Sequence, residues 1–502
     1  MSRLFFLVAL AAVVLTACSQ NARPDPTPTA TTITTQDRLV MNPGPAQASP
    51  TPQFGPIIST TATPVPSGPV GPTATITPYD DGTSPAPSDG EASDGTIFGP
   101  IVGPDHTLVP TETRLPATLP PTTVPTPGPS PTPLPGLQRN LMGVQIHPNI
   151  DSRELNEVLA RARALDVAWI KFQFNWSLLE YAPGHYTELF FMLRQYVQQA
   201  HNQGFYVMVS VAKAPGWSRT PDTDGVMRED GPPDDPQALA NFMSGMLNMI
   251  GFDSSGQPVI DAIEVWNEPN LQREWYGHPI TGADYMRYFR PAYDAIRAFS
   301  PAITVITAAP APTGDSQWST NDRTWLQQLY DSGLAQYGQN VAVGIHPYGW
   351  ANAPDAYCCI DNPGVGWDDQ PQFFFLQTIE DYWQIMTTNG HANAQLWTTE
   401  FGWATYDGLR TGNGGSGPQP PVPPGQEYFG YIDQWQQADY TLQAFQLGQE
   451  RPYMGPMILW NLNFATIPGA VDQSDPKAGY GLLDSLWQPR PVYTMLQQTP
   501  KN

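Results

Sequence analysis

Strand-like apolar runs alternate with helical patterns from about Leu137 onward, and this alternation constrains the fold more than any other feature of the chain. Amphipathic stretches with helical spacing separate the runs, among them 152–165, 323–337, 427–450 and 491–498. Eight strand–helix pairs over about 360 residues predict an α/β fold, a (β/α)8 TIM barrel with long loops. A doubly wound open sheet also alternates, but no glycine-rich phosphate turn follows the first run. The predicted strands are 142–147, 169–174, 206–211, 262–266, 304–308, 341–346, 395–399 and 456–460.

The residues before this region have a different composition and divide into two segments. Residues 1–17 contain Arg3 and then an apolar run, 4–15, which is short for a bilayer span and typical of an export signal. Residues 18–136 hold 27 of the 57 prolines, together with many Thr and Ser. Such a segment buries too little apolar surface to offset its ordering entropy, which predicts a disordered tether. The globular domain is therefore predicted over residues 137–502.

The end of the signal carries a second motif. Leu15-Thr16-Ala17-Cys18 resembles the bacterial lipobox, which implies a mature chain that begins at a lipidated Cys18. The expected location is the bacterial cell envelope or surface, with the membrane reached through that anchor. An ordinary signal peptide with a chance cysteine is the alternative.

Two adjacent cysteines, Cys358 and Cys359, lie in the globular region. In the oxidising setting of an exported protein they have three possible states: a vicinal disulfide, free buried thiols, or a bond to another chain. Two neighbouring thiolates without a Cys or His cluster nearby make a poor zinc site.

Charge and aromatic content restrict the kinds of partner. The net charge of −23 excludes a nucleic acid, because nothing would neutralise the phosphate backbone. The chain holds 15 Trp, whose rings combine a large apolar face with an N–H donor. A sugar-binding cleft uses both properties, and a large core also accounts for many of these rings.

Polar and aromatic residues concentrate at the carboxyl ends of the predicted strands, where the active sites of barrels of this kind are built. Two of them are carboxylates: Glu268 follows strand four and Glu400 follows strand seven. Strand seven is three positions beyond strand four, which places the two carboxylates on facing walls of a small barrel. Glycoside hydrolysis needs such a pair, one group to protonate the leaving oxygen and one to attack the sugar or activate water.

Five motifs in the same order resemble those of the clan A glycoside hydrolases, whose catalytic glutamates follow strands four and seven. In chain order the motifs are "WSLLEYAPGHY", "WNEPN", "HPY", "TEFGW" and "YGLLDSLWQPRPVYTML", and the resemblance covers residues 143–496. Within the clan, "WNEPN" and "TEFGW" resemble most closely family 39, the group of β-xylosidases, α-iduronidases and exopolysaccharide endoglycosidases. The resemblance implies a retaining glycosidase that cleaves β-linked poly- or oligosaccharide by double displacement and needs no cofactor.

The resemblance also implies roles for particular residues. Glu268 is the expected general acid/base, with a pKa raised by a neighbouring anion and by partial desolvation. Glu400 is the expected nucleophile, and Tyr348 holds it. Asn267 is expected to bind the sugar 2-hydroxyl, and Trp460 to form the floor beneath the reacting sugar. His346 is expected to contact the sugar or the nucleophile. Further candidates for contact with substrate, each with a core or surface role as its alternative, are His147, Lys213, Trp217 and Trp403.

One position departs from the clan pattern. Many members carry arginine near the end of strand two, and here the cation is Lys171, which cannot form a bidentate fork. Direct support of the nucleophile is therefore in doubt, and a pairing of Lys171 with Glu264 inside the barrel is the alternative.

Two function classes remain open at this stage. A noncatalytic surface lipoprotein that binds carbohydrate or mediates adhesion could use the same scaffold, although a pure binder needs no paired carboxylates. Among enzymes, the sequence leaves open whether an open groove favours endo action or a closed pocket favours exo action.

Overall fold

The computed structural model describes residues 136–147, 152–221, 230–359, 367–412 and 414–502. The predicted signal, nearly all of the predicted tether and Cys18 lie outside the described residues. Among the described residues, no helix is both long and apolar enough to cross a lipid bilayer.

Eight parallel strands close into a barrel, as predicted. Each strand pairs with the next along the chain, and the last pairs with the first through Met142 and Met457. Every strand boundary lies within two residues of its predicted position. The strands are β1 (Met142–Gln145), β2 (Trp169–Asn175), β3 (Tyr206–Ala212), β4 (Ala262–Val265), β5 (Thr304–Thr307), β6 (Val341–Ile345), β7 (Leu396–Phe401) and β8 (Met454–Leu459).

A helix follows each strand, and two of the stretches given above form shorter helices than predicted. Within the stretch 323–337 the α-helix ends at Asp331, because Gly333 adopts a left-handed conformation. A 3-10 segment, Leu334–Asn340, follows. The stretch 427–450 becomes α-helical only at Gln434, where Asp433 forms a capping box. The helices that connect the strands are α1 (Ser152–Ala164), α2 (Glu188–Asn202), α3 (Pro236–Ile250), α4 (Gly282–Phe299), α5 (Asp322–Asp331), α6 (Phe375–Thr388), α7 (Gln434–Gln449) and α8 (Pro491–Gln498). Two short helices, Trp176–Leu179 and Pro476–Tyr480, lie in the loops before α2 and α8.

The barrel interior changes from apolar to polar along the strands. Its lower layer is a cluster of buried side chains near the strand starts: Ala168, Trp169, Met208, Ala262, Ile306, Ala342, Trp397 and Ile458. Residues two positions further along a strand point to the same face. On β2, β3 and β4 these residues are Lys171, Ser210 and Glu264, all buried. The lower layer therefore closes the barrel, and polar chemistry is confined to its upper half.

The first described segment lies at the lower rim, beside the strand starts. The Leu137 N–H donates to the Pro500 carbonyl at 2.8 Å, and the Asn502 N–H donates to the Leu137 carbonyl at 2.8 Å. The chain therefore approaches β1 from the end of the barrel opposite to the strand ends that carry Glu268 and Glu400.

The adjacent cysteines lie in the loop after β6. Cys358 and Cys359 form a disulfide with each other, one of the three states left open by the sequence. Cys358 packs against an aromatic cluster above the barrel that includes Trp350, Phe373 and Trp460.

Candidate active site

Glu400, near the end of β7, is held through both of its carboxylate oxygens. The Lys171 ammonium lies 3.0 Å from Oε1, and the Tyr348 hydroxyl donates to Oε2 at 3.0 Å. Burial and the negative charge of Glu400 keep the pKa of Tyr348 well above its ordinary value, so that it remains a proton donor. The carboxylate is thus oriented by one cation and one hydroxyl.

Lys171 contacts Glu400, the predicted nucleophile, and also forms an ion pair with Glu264 inside the barrel. Its ammonium lies 3.1 Å from Glu264 Oε2, and both of these side chains are fully buried. Burial alone lowers the pKa of Lys171, but the charges of Glu264 and Glu400 outweigh it and raise the pKa above its ordinary value. The lysine therefore stays charged and makes one contact to each carboxylate.

Glu268, in the loop after β4, lies between two cationic groups. His346 Nδ1 is 3.2 Å from Oε1, and Arg273 Nη2 is 3.1 Å from Oε2. Burial raises the pKa of Glu268, but the hydrogen bond from His346 and the charge of Arg273 outweigh it, so the pKa is lowered. The expectation of a raised pKa was therefore wrong, because it took account of burial and anions but not of Arg273.

A chain of ionic contacts links the two candidate catalytic glutamates. It runs from Glu268 to His346, on to Glu264 at 4.0 Å, then to Lys171 and Glu400. Burial lowers the pKa of His346, but the charges of Glu400, Glu268 and Glu264 raise it above its ordinary value. The negative charges of both glutamates therefore raise the pKa of the same imidazole, as expected of groups on facing walls of the barrel mouth.

The loop after β4 holds Glu268 in a strained backbone conformation. Trp266 has φ +83° and Glu268 has φ +45°, which cost about 1–3 kcal/mol each for residues with a side chain. Surrounding hydrogen bonds maintain the loop: Glu268 N–H donates to Ala309 O at 3.0 Å, and Trp266 Nε1 donates to Glu274 O at 3.0 Å. The Tyr285 hydroxyl bridges the tops of β4 and β5 by donating to the Val265 carbonyl. Such strain is characteristic of functional positions.

Three other predicted polar residues surround the same mouth. Asn267 is 3% exposed, and its Oδ1 accepts no hydrogen bond from any described residue, as suits a substrate contact. His147 is buried beside Phe464, and its backbone N–H donates to Asn463 Oδ1 at 2.8 Å. Lys213 is buried and forms an ion pair with Asp230 at 2.9 Å, so the surface alternative is wrong, and its contact with substrate stays a prediction.

The predicted aromatic residues fall into different environments. Trp460 is fully buried and packs against Tyr480 with 5.0 Å between ring centroids. Trp403 is also buried, and its ring lies so close to Gly349 that a Cβ there would approach it to 2.3 Å. Trp217 differs, since 39% of it is exposed. Of the three, Trp217 offers the most open face to a substrate, whereas Trp403 is packed within the wall.

Sequence reasoning missed Arg273 and Glu274, which follow the "WNEPN" motif in a 3-10 turn, Gln272–Glu274. Neither carboxylate oxygen of Glu274 accepts a hydrogen bond from a described residue, and Arg273 Nε lies 3.7 Å from its Oε1. Burial raises the pKa of Glu274 to about 8, although the charges of Lys213 and Arg273 oppose the rise. A lone Arg-Glu pair in a loop has no spacing signal, so only the folded chain identifies it.

The family model for cellulase (glycosyl hydrolase family 5) matches residues 134–419, more than half of the chain. The chain belongs to that family. This family belongs to clan A of the glycoside hydrolases, and the predicted clan resemblance is therefore confirmed. The finer resemblance noted from the motifs was to family 39, whereas the matching family model is that of family 5. No curated protein matches the chain.

Solved structures similar to this chain include other glycoside hydrolases. A family 39 glycoside hydrolase from Bacteroides cellulosilyticus WH2 has 18% identity and a TM-score of 0.48, with 72% of this chain and 63% of that chain covered. A monomeric β-xylosidase from Caulobacter crescentus CB15 has 15% identity and a TM-score of 0.47, with coverage of 72% and 68%. This chain thus spans less than two thirds of the first of these structures. No substrate is inferred from either similarity.

Proposed function

We propose that this glycoside hydrolase cleaves β-linked poly- or oligosaccharides with retention of configuration, by double displacement. The observation that carries the proposal is the unequal environment of the two glutamates. Glu400 has one oxygen on a buried ammonium and the other on a tyrosine hydroxyl, which leaves an oriented anion suited to attack. Glu268 contacts His346 and Arg273, and these two groups affect how readily its carboxyl group takes up and releases a proton.

In the first half-reaction, Glu400 attacks the anomeric carbon while protonated Glu268 gives its proton to the leaving glycosidic oxygen. The C–O bond to the leaving group breaks as the bond to the Glu400 carboxylate forms, giving a covalent glycosyl-enzyme. Asn267, which precedes Glu268 in the loop after β4 and is 3% exposed, is proposed to contact the sugar 2-hydroxyl. That contact contributes to catalysis where it strengthens in the transition state.

In the second half-reaction the roles of the carboxyl groups change. Esterification removes the negative charge of Glu400, one of the charges that raise the pKa of His346. Glu268, now ionised and paired with Arg273, takes a proton from water as the water attacks the anomeric carbon. The pKa of Glu268, lowered by His346 and Arg273, favours the ionised form that this step requires.

Replacement of the nucleophile provides the test. Glu400→Ala should abolish hydrolysis, since no other described carboxylate contacts both Lys171 and Tyr348. Added azide should restore turnover in that variant as a glycosyl azide of inverted configuration. Full activity of Glu400→Ala without azide would exclude the proposed mechanism.

The substrate is proposed from the family alone, and cello- and xylo-oligosaccharides of two to six sugars form the first panel. Product analysis by chromatography distinguishes internal cleavage from release of terminal sugars. Binding of these glycans by the wild type without any turnover would favour the alternative, a noncatalytic carbohydrate-binding protein.

We also propose that residues 1–17 act as an export signal, that Cys18 carries lipid, and that residues 18–136 tether the hydrolase to the cell envelope. The support is the Leu15-Thr16-Ala17-Cys18 motif and the proline content of the following segment. Cys18→Ala should release the protein from the membrane fraction, and continued membrane association would exclude the lipid anchor.

A further inference from the structure

Arg273 lies between two carboxyl groups, those of Glu268 and Glu274. On one side its Nη2 is 3.1 Å from Glu268 Oε2, within hydrogen-bond distance. On the other side its Nε is 3.7 Å from Glu274 Oε1, which is too long for a hydrogen bond. This Nε and both carboxylate oxygens of Glu274 are buried and have no hydrogen-bond partner among the described residues. A donor and an acceptor therefore lie side by side unpaired, and a small shift of the guanidinium would join them.

The backbone around Glu274 fixes the position of its carboxyl group. The Leu271 N–H donates to the Glu268 carbonyl at 3.1 Å, and the Glu274 N–H donates to the Leu271 carbonyl at 3.1 Å. The Glu274 carbonyl in turn accepts from Trp266 Nε1 at 3.0 Å. The side chain of Glu274 is only 1% exposed, whereas that of Arg273 is 17% exposed. Any rearrangement between the two therefore falls to the longer and more exposed side chain of Arg273.

Charged groups from two loops face Glu274. Lys213 and Asp230, from the loop after β3, form an ion pair at 2.9 Å. Arg273 and Glu268 belong to the loop after β4. Burial raises the pKa of Glu274 to about 8. The charges of Lys213 and Arg273 oppose this rise in pKa. Those of Asp230 and Glu268 add to it. Glu274 therefore holds a proton near neutral pH, whereas Glu268, whose pKa is lowered, is ionised there.

From this geometry we infer that Glu274 is a positioning residue, which draws Arg273 away from Glu268 and so lets Glu268 hold the proton that the leaving oxygen needs. The inference rests on the proposed function, in which Glu268 is the general acid. In the first arrangement Glu274 is protonated and Arg273 is bonded to ionised Glu268, as in the structure. In the second arrangement the proton is on Glu268, and Arg273 is bonded to ionised Glu274.

The two arrangements contain the same atoms and the same total charge. One proton leaves a Glu274 oxygen and binds to a Glu268 oxygen by exchange with solvent, while the guanidinium keeps its charge. Two coupled carboxyl groups that share one proton titrate as a pair. Between the two pKa values of the pair, the fraction of that proton on Glu268 does not change with pH. The pair therefore provides a protonated acid at a pH at which Glu268 alone is ionised.

The experiment uses Glu274→Gln, which keeps the size of the side chain and cannot become negatively charged. kcat/KM is measured from pH 4 to 8 on the best cello- or xylo-oligosaccharide and on the matching dinitrophenyl glycoside, whose leaving group needs no proton. On the oligosaccharide, Glu274→Gln should match the wild type at pH 4 and be at least about tenfold lower at pH 7. On the dinitrophenyl glycoside the two proteins should stay within about twofold of each other at every pH.

Asp261→Asn is the matched control. Asp261 immediately precedes β4, at the end of the strand opposite to Glu268, and burial raises the pKa of its carboxyl group to about 6. Its replacement should leave the ratio between the two substrates, and the pH dependence of that ratio, as in the wild type. Arg273→Met provides a second comparison. Because Glu274 acts through Arg273, Glu274→Gln should cost much less at pH 7 in that background.

The inference would be overturned by no loss on the oligosaccharide at pH 7, or by a loss that is equal at every pH or on both substrates. An equal cost with and without Arg273 would also overturn it. Absence of any wild-type turnover counts instead against the proposed function. The carboxyl carbon resonance of Glu268, identified by its loss in Glu268→Gln, then decides the inference separately. A titration step near pH 8 that is present in the wild type and missing in Glu274→Gln would support it, and identical titration curves would overturn it.

Discussion

Arg273→Met is expected to move the alkaline limb of the pH profile upward. The general acid must carry its proton in the free enzyme, so kcat/KM falls as the pH rises through the pKa of Glu268. The Arg273 guanidinium, 3.1 Å from Glu268 Oε2, helps to hold that pKa below its ordinary value. Removing the positive charge removes part of the stabilisation of the anion. The protonated acid therefore persists to higher pH.

The size of the effect follows from the geometry. Two unit charges about 4 Å apart interact by about 4 kcal/mol at an effective dielectric constant of about 20. The Glu268 side chain is 12% exposed and the Arg273 side chain 17%, so solvent reduces this interaction to about half. At about 1.4 kcal/mol for each tenfold change in proton affinity, the limb should move by about one to two pH units.

The assay is kcat/KM from pH 3 to 9 on one oligosaccharide. Arg273→Lys, which preserves the charge, should keep the limb near that of the wild type. Arg139→Met, which removes an exposed arginine paired with Asp166 at the other end of the barrel, should leave it unchanged. A limb that stays in place or moves to lower pH in Arg273→Met would refute the assignment of Arg273 as the residue that sets the acidity of Glu268.

Three further outcomes are expected. Lys171→Met should lower the free energy of unfolding by about 3–5 kcal/mol, because it leaves buried Glu264 without its cation. Chemical denaturation measures this loss. The double variant Lys171→Met/Glu264→Gln should recover part of it. Glu268→Ala should lower kcat at least about a hundredfold on oligosaccharides but much less on dinitrophenyl glycosides, whose leaving group needs no proton; equal losses would contradict its role as the acid. Glu274 has a pKa raised by burial to about 8, so its contribution to stability is complete below its unfolded pKa and declines as the pH rises toward 8. Glu274→Gln, which stays neutral, should therefore gain at least about 2 °C in Tm over the wild type at pH 8 and nothing at pH 4, and a gap independent of pH would contradict the buried-acid interpretation.

The barrel could be predicted from the sequence because its strands are buried on both faces. Runs such as 206–211 are almost wholly apolar, and the helices between them keep a regular apolar spacing. Helix ends were predicted less well where local backbone chemistry decides them, as at Gly333 and Asp433. Neither residue interrupts the apolar spacing, so the pattern continues past the point at which the helix changes.

The candidate site was predictable to the extent that it lies at strand ends. Glu268, Tyr348 and Glu400 are found there because the order of the motifs places them at the carboxyl ends of strands four, six and seven. Arg273 and Glu274 belong to a loop, where side chains are brought together by turns and hydrogen bonds. The lowered pKa of Glu268 could not be predicted for the same reason, since it depends on Arg273.

The contact between Leu137 and the last residues of the chain places the start of the described domain at the closed end of the barrel. Under the proposed tether, residues 18–136 would hold the protein by this end. The barrel mouth that carries Glu268 and Glu400 would then point away from the surface of attachment.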